Sequence, residues 1–476
     1  MRGLLHLMLG IAMAWNLTTP AEQMSESNVS SMTAQAGWAG VEITPPLGIA
    51  LGGRGGPDTL ADKILDPLYA QVLFLRDGQG KGFALVSLDV IGVSHALSDR
   101  LRIALVHELG VEFNLAVINF SHTHSGPYML RDLMAGLGPA PRVEAEYLRT
   151  LEQKVISAAR VARGQLKPVT IESFRGTSRF GINRRGKAPN GKIAGIRPDA
   201  NGYINETVWG LKLIPTDGSP AAFVVSYSCH PVVVYTYAYT AISADFPGRL
   251  RTLLSQKLGA AHVQFVQGTA GNIRPRVLAD LENNRFRAGN PDELQEATGR
   301  LSDEIVAATR TARRNLKLNL AGSADHPFLR RDAPPPRVVF EEMAKEAKKS
   351  SRREAAAYWL KRYDAGEGVA KGDAWPIGLV RLADDEWICW FAGEPCAEWA
   401  ATVITWLGRR NCVVWGYSQE ALAYLPTEAM FHEGGYEVDE SNLNRAHSPA
   451  RLAPGIENAI RDSLQRQLAF IEARPD

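Results

Sequence analysis

A short apolar run at 115–120 (LAVINF) passes directly into Ser121-His122-Thr123-His124-Ser125-Gly126-Pro127. A run of that length and composition predicts a buried strand. Side chains two apart at a strand end lie on the same side of the sheet. The Ser-Gly-Pro that follows forces a turn, so the fold must carry both imidazoles at a sheet edge. Open α/β sheets place their sites there. Two readings stand for the pair: a metal or proton-transfer site, or two polar residues leaving a strand.

The surrounding pattern predicts an α/β fold. Strand-like runs at 71–75, 82–88, 170–174, 206–214, 222–228 and 263–267 alternate with helical periodicity at 96–109, 144–163, 248–257 and 293–313. Apolar strands return at 377–382, 387–391 and 412–415, and 453–473 reads as a closing amphipathic helix. No Pro/Gly/Ser linker after residue 35 is long enough to separate independent units. The expected architecture is therefore mixed β-sheets flanked by helices in a single large domain spanning 35–476. One excursion interrupts it. Ala333-Pro334-Pro335-Pro336 introduces a charged, helix-prone insertion at about 337–365, expected either as a solvated excursion or as a cover over the site.

Composition narrows the function. A formal net charge of +2 favours neither nucleic acid nor an acidic membrane surface as partner. Beyond the first 20 residues no apolar stretch approaches the 18 or so needed for a membrane span, so none is expected in the mature protein. Arg2, the apolar residues 3–13 and Ala12-Met13-Ala14 read as an export signal over 1–14, followed by a disordered leader at 15–34. A buried first helix is the competing reading. Export predicts a secreted or periplasmic protein. Cys229, Cys389, Cys396 and Cys412 form no C-x-x-C pair and are expected as buried free thiols. Cys389 and Cys412 could pair if their strands are neighbours.

Further strand ends carry residues that could join the histidines. Ser228-Cys229-His230-Pro231 follows one apolar run, and the proline fixes the chain's exit. Phe391-Ala392-Gly393-Glu394-Pro395 follows another. A carboxylate leaving a buried strand needs a partner, either a metal or an arginine. The loop Gly268-Thr269-Ala270-Gly271-Asn272-Ile273-Arg274-Pro275 offers close backbone approach and a fixed charge, or is a plain tight turn. Tyr424 adds a phenol. Two His, one Glu and a phenolate form an N/O set suited to zinc with a water position left open. Asp89 and Asp245 are each expected either to orient a ligand imidazole or to cap a helix.

Taken in order, these motifs resemble the neutral (non-lysosomal) ceramidase family over roughly residues 37–440. His122-Thr123-His124-Ser125-Gly126-Pro127 is the most specific, joined by Ile182-Asn183-Arg184, Cys229-His230-Pro231, Gly271-Asn272-Ile273-Arg274-Pro275, Gly393-Glu394 and the Tyr424 segment. The resemblance implies that the fold is like that family's N-terminal domain, that zinc is the cofactor, and that His122, His230, Glu394 and Tyr424 hold it. It implies that His124 moves a proton or supports the oxyanion, with Tyr424 as ligand or hydrogen-bond donor. Arg184 matches an arginine that contacts the substrate's polar group. The family hydrolyses the N-acyl amide of ceramide, so the resemblance implies a role in lipid metabolism as a zinc-dependent amidohydrolase with a zinc-bound water as nucleophile. A small-molecule or lipid-like N-acyl substrate follows.

Two departures stand out. Members carry a serine in a G-D-x-S-P-N loop, whereas this chain has Arg274 there and Asn272 in place of the aspartate. A serine nucleophile at that position is excluded, and Arg184 and Arg274 together suggest an anionic substrate. The chain is also expected to lack the family's C-terminal β-sandwich domain. Hydrolysis of esters or glycoconjugates, and a non-catalytic zinc-containing binding protein, remain the alternatives.

Overall fold

A computed structural model describes residues 33–193, 195–346, 350–409 and 411–473. The expected export signal at 1–14 lies outside them, as does all but the end of the expected leader. The largest sheet has nine strands. Eight run in the order His262–Gln267, Ala222–Tyr227, Thr207–Pro215, Lys167–Thr177, Gln35–Glu42, Tyr69–Arg76, Gly82–Leu88, Ala116–Phe120, and Arg313–Leu316 pairs with Lys167–Thr177 as the ninth. The outermost pair at each end is parallel and the inner pairs are antiparallel. Among the described residues the ladders of the two halves meet where Gln35 and Ala36 pair with Pro168 and Lys167.

Alternation along the strands explains the layering. Ala70, Val72 and Phe74 enter one core with Leu97, Leu101 and Leu105 of helix His95–Leu109 and Leu151 and Val155 of helix Arg142–Gly164. Leu73 and Leu75 of the same strand point the other way, into a second core with Trp209, Leu211 and Val266. Side chains of period two must divide between opposite faces in this way. Helices Asp245–Leu258 and Pro291–Thr311 cover the outer face of the other half through Leu250, Leu254, Leu301 and Ile305. Helix Pro291–Thr311 starts on Asn290, whose side chain accepts from the Glu293 amide. That satisfies one of the open donors of the first turn and stabilises the helix by about 1 kcal/mol.

A four-stranded sheet, in the order Ala321–Asp325, Ile377–Ala383, Glu386–Phe391, Cys412–Trp415, closes the inner core. Helices Glu398–Leu407 and Ile456–Glu472 pack on its far side. Glu386, fully buried, ties the two sheets together: it accepts from Trp209 Nε1 at 2.7 Å, Arg175 Nη2 at 2.8 Å and Ser173 Oγ at 3.1 Å. The architecture is the expected one, mixed sheets flanked by helices in one domain.

Two details amend the sequence reading. Cys389 and Cys412 do sit on neighbouring strands, but the register sets Cys389 opposite Val414 and Cys412 opposite Trp387, and all four cysteines are free and buried. The helical insertion forms two helices, Arg337–Glu346 and Ser350–Asp364. They spend their apolar residues on each other: Phe340, Met343, Ala355, Ala356 and Trp359 are buried together with Ala135. No helix among the described residues is long and apolar enough to cross a membrane.

Candidate metal centre

The site forms where several strands end together. His122 comes just after Ala116–Phe120, His230 after Ala222–Tyr227, and Glu394 after Glu386–Phe391. Glu394 itself pairs with Tyr424 in a short parallel ladder. His122 has φ +64°, a left-handed backbone rare for a side chain of this kind. Such strain persists only where the surroundings over-determine it. Gly271 makes room for the convergence, since a Cβ there would meet the Glu394 carbonyl oxygen at 2.6 Å.

One ring nitrogen from each of His122, His124 and His230 lies within 4.8 Å of the other two. Glu394 Oε2 sits 3.3 Å from His122 Nε2 and 3.4 Å from His230 Nε2. The hydrogen bonds on the far side of each ring decide what these atoms can do. His122 Nδ1 is 2.6 Å from the Ile91 carbonyl, His230 Nδ1 2.7 Å from that of Ala270, and His124 Nδ1 3.0 Å from that of Gly53. A carbonyl oxygen only accepts, so each Nδ1 carries a proton and each ring turns its Nε2 inward. Glu394 Oε2 accepts no aligned hydrogen bond, and His124 Nε2 has no partner, although both are buried.

Burial disfavours charge on two of the rings. Burial, with the nearby Arg184 charge, pushes His230 down to about 3. Burial, with His122 and His230, holds His124 well below its ordinary value. Burial alone would raise Glu394, but His122 and His230 outweigh it and hold the carboxyl well below its usual range. The result is a buried group of three imidazoles and a carboxylate oxygen facing one another. Nitrogen and carboxylate donors in this number suit a divalent metal such as zinc. The donor set therefore fits.

Tyr424 is buried beside Glu394. Burial and that carboxylate push its phenol well above the ordinary value. Arg184 is buried as well and does not reach open solvent. Its Nε pairs with Glu437 Oε1 at 2.7 Å, its Nη1 lies 3.5 Å from His230 Nε2, and its guanidinium lies 5.4 Å from the Tyr424 ring centroid. Arg274 lies on the other side, half-buried, donating to Tyr235 Oη at 3.2 Å. Asp89 and Asp245 do not orient the rings; backbone carbonyls do. Asp89 pairs with Arg251, and Asp245, at φ +56°, accepts from the Val234 and Phe246 amides at the start of a helix.

Three neighbours escape the motif reading. Tyr417 is fully buried with its ring 4.6 Å from His122. Arg54 donates to the carbonyls of Gly52, Tyr239 and His124, and so holds the backbone of His124. Gly53 has φ +74°, and a Cβ on it would lie 2.4 Å from His124 Cγ and Nδ1. The run Gly52-Gly53-Arg54-Gly55-Gly56 carried a usable signal, because a lone arginine amid glycines marks a close backbone approach.

No protein-family model matches the sequence, and no curated protein matches it. Solved structures match in fold. A ceramidase described as complexed with C2 superposes with a TM-score of 0.69 at 16% identity, covering 93% of this chain and 76% of that one. The neutral ceramidase from Pseudomonas aeruginosa gives a TM-score of 0.67 at 15% identity, covering 94% and 75%. With a buried three-histidine group at the meeting point of its strands, the chain has the fold of the neutral ceramidases.

Proposed function

We propose that this chain is a zinc-dependent amidohydrolase of linear N-acyl amides. The observation that carries the reading is the buried cluster in which three imidazole nitrogens and a carboxylate oxygen face one another. His122, His230 and Glu394 are the residues to hold the ion. When bound, zinc supplies a Lewis acid and brings a water's pKa toward neutrality. His124 is the outermost ring of the three. Its bare Nε2 takes the proton from the attacking water and, being a weak base, passes it on to the leaving nitrogen. The Tyr424 phenol donates to the oxygen of the tetrahedral carbon. Arg184, fixed by Glu437, keeps Tyr424 and His230 in place. Export to the periplasm or the exterior belongs to the same proposal and rests on residues 1–14; fractionation of cells expressing the full chain checks it.

The test is metal analysis of purified protein, with a panel of N-acyl amides and esters assayed with and without chelator. The expected result is stoichiometric zinc, lost in His122→Ala and Glu394→Ala, and amide hydrolysis abolished by chelator. Zinc that survives both substitutions sinks the assignment. Binding without turnover favours a non-catalytic module, and turnover of esters alone favours an esterase.

A further inference from the structure

The cations around the centre differ in what balances them. Arg184 and Arg185 share Glu437, and Arg185 also reaches Glu433. Arg54 spends its donors on backbone carbonyls. Arg274 has no carboxylate within ion-pair distance among the described residues. It lies on the three-residue strand Ile273–Pro275, pinned against Gly181–Asn183, so its backbone is fixed. Its guanidinium donates one hydrogen bond, to Tyr235 Oη, and lies 5.1 Å from the Phe286 ring centroid. Its Nε is buried and donates to nothing. The Tyr235 ring is in turn 5.7 Å from the His124 ring. Arg274, Tyr235 and His124 thus form an unbroken line from an unneutralised cation to the outermost imidazole of the centre.

A half-buried guanidinium with an orphaned N–H and no counter-charge lacks a partner, and its planar fork matches a carboxylate. We propose that Arg274 binds a carboxylate carried by the substrate within a few bonds of the scissile amide, so that the preferred substrates are acidic N-acyl compounds. The inference rests on the amidohydrolase reading and specifies its substrate class. In the reaction the water oxygen joins the carbonyl carbon and the C–N bond breaks. Both protons of the water end on the leaving nitrogen, giving a second carboxylate and an ammonium. Tyr235 holds the guanidinium toward His124.

The experiment uses two acidic probes, N-dodecanoylglycine with the charge on the amine side and N-dodecylsuccinamic acid with it on the acyl side. Each is compared with its neutral carboxamide. At least one acid is expected to exceed its neutral counterpart by about tenfold in kcat/KM, the scale of one hydrogen bond to a charged group. Arg274→Ser should erase that ratio mainly through KM, and Arg274→Lys should restore part of it. Calorimetry on metal-stripped protein should show the acid binding the unmodified chain about tenfold more tightly than Arg274→Ser. Arg274→Gln gives the same readings if the serine variant does not fold. Equal turnover of acids and neutral amides, or equal losses on both in Arg274→Ser, overturns the inference. Arg274-dependent binding of the acid with no hydrolysis of any probe instead overturns the amidohydrolase reading and leaves the anion site standing.

Discussion

Gly53→Ala tests whether His124 is held by contact or merely lies nearby. The substitution has two separable effects. An alanine at φ +74° costs about 1–2 kcal/mol for the left-handed backbone. Its Cβ would also stand 2.4 Å from His124 Cγ and Nδ1, where unbonded carbons keep about 3.5 Å, so the ring must retreat by about 1 Å. Retreat breaks the Nδ1 bond to the Gly53 carbonyl, worth about 1 kcal/mol, and displaces Nε2, the atom proposed to take the water's proton. A misplacement of about 1 Å typically costs about 100-fold in rate. The assay is kcat/KM on N-acyl amides, paired with metal analysis and thermal unfolding. Gly48→Ala is the control, because Gly48 has φ +83° and nothing within 4 Å of its added Cβ. It should share the loss of stability and keep full activity. Undiminished activity in Gly53→Ala, or equal loss in Gly48→Ala, refutes the reasoning.

Two further outcomes are expected. Glu437→Gln strips the carboxylate from two buried arginines, Arg184 and Arg185, and should destabilise the fold by about 3–5 kcal/mol in denaturant unfolding. Glu398, pushed up to about 7 by burial, binds a proton in the folded state that the unfolded chain has already released. Its contribution is therefore fully present below about pH 4.5 and falls as pH rises through 7, by about 3 kcal/mol in all. Glu398→Gln should flatten that fall, and parallel pH–stability curves for the two proteins would count against the assignment.

What the sequence made legible was the part written in side chains. His122, His124, His230 and Glu394 each follow an apolar run, and a ligand at a strand end announces itself in that way. The orienting partners were not legible, because the carbonyls of Ile91, Ala270 and Gly53 belong to no particular residue type. Asp89 and Asp245 looked eligible for that role only because carboxylates are visible in a sequence and carbonyls are not. Strand Gln35–Glu42 was blurred by two glycines and short apolar pieces. Helix Glu398–Leu407 was hidden by β-branched and aromatic residues that equally suit a strand. The pairing of Arg184 with Glu437 was not legible either, because the two lie 253 residues apart along the chain.

The two ends of the large sheet approach each other without sharing a ladder. Asn119 Oδ1 accepts from the Gln267 amide at 2.8 Å, and Gln264 Nε2 donates to Ser87 Oγ at 3.0 Å, across 148 and 177 residues of chain. Contacts this distant carry a large closure entropy and form late. The donors of the centre span positions 122 to 394, so no early segment can assemble it. On the proposed function, metal would therefore be acquired by an almost finished fold, and the compartment in which folding ends would be the one whose metal supply the protein samples.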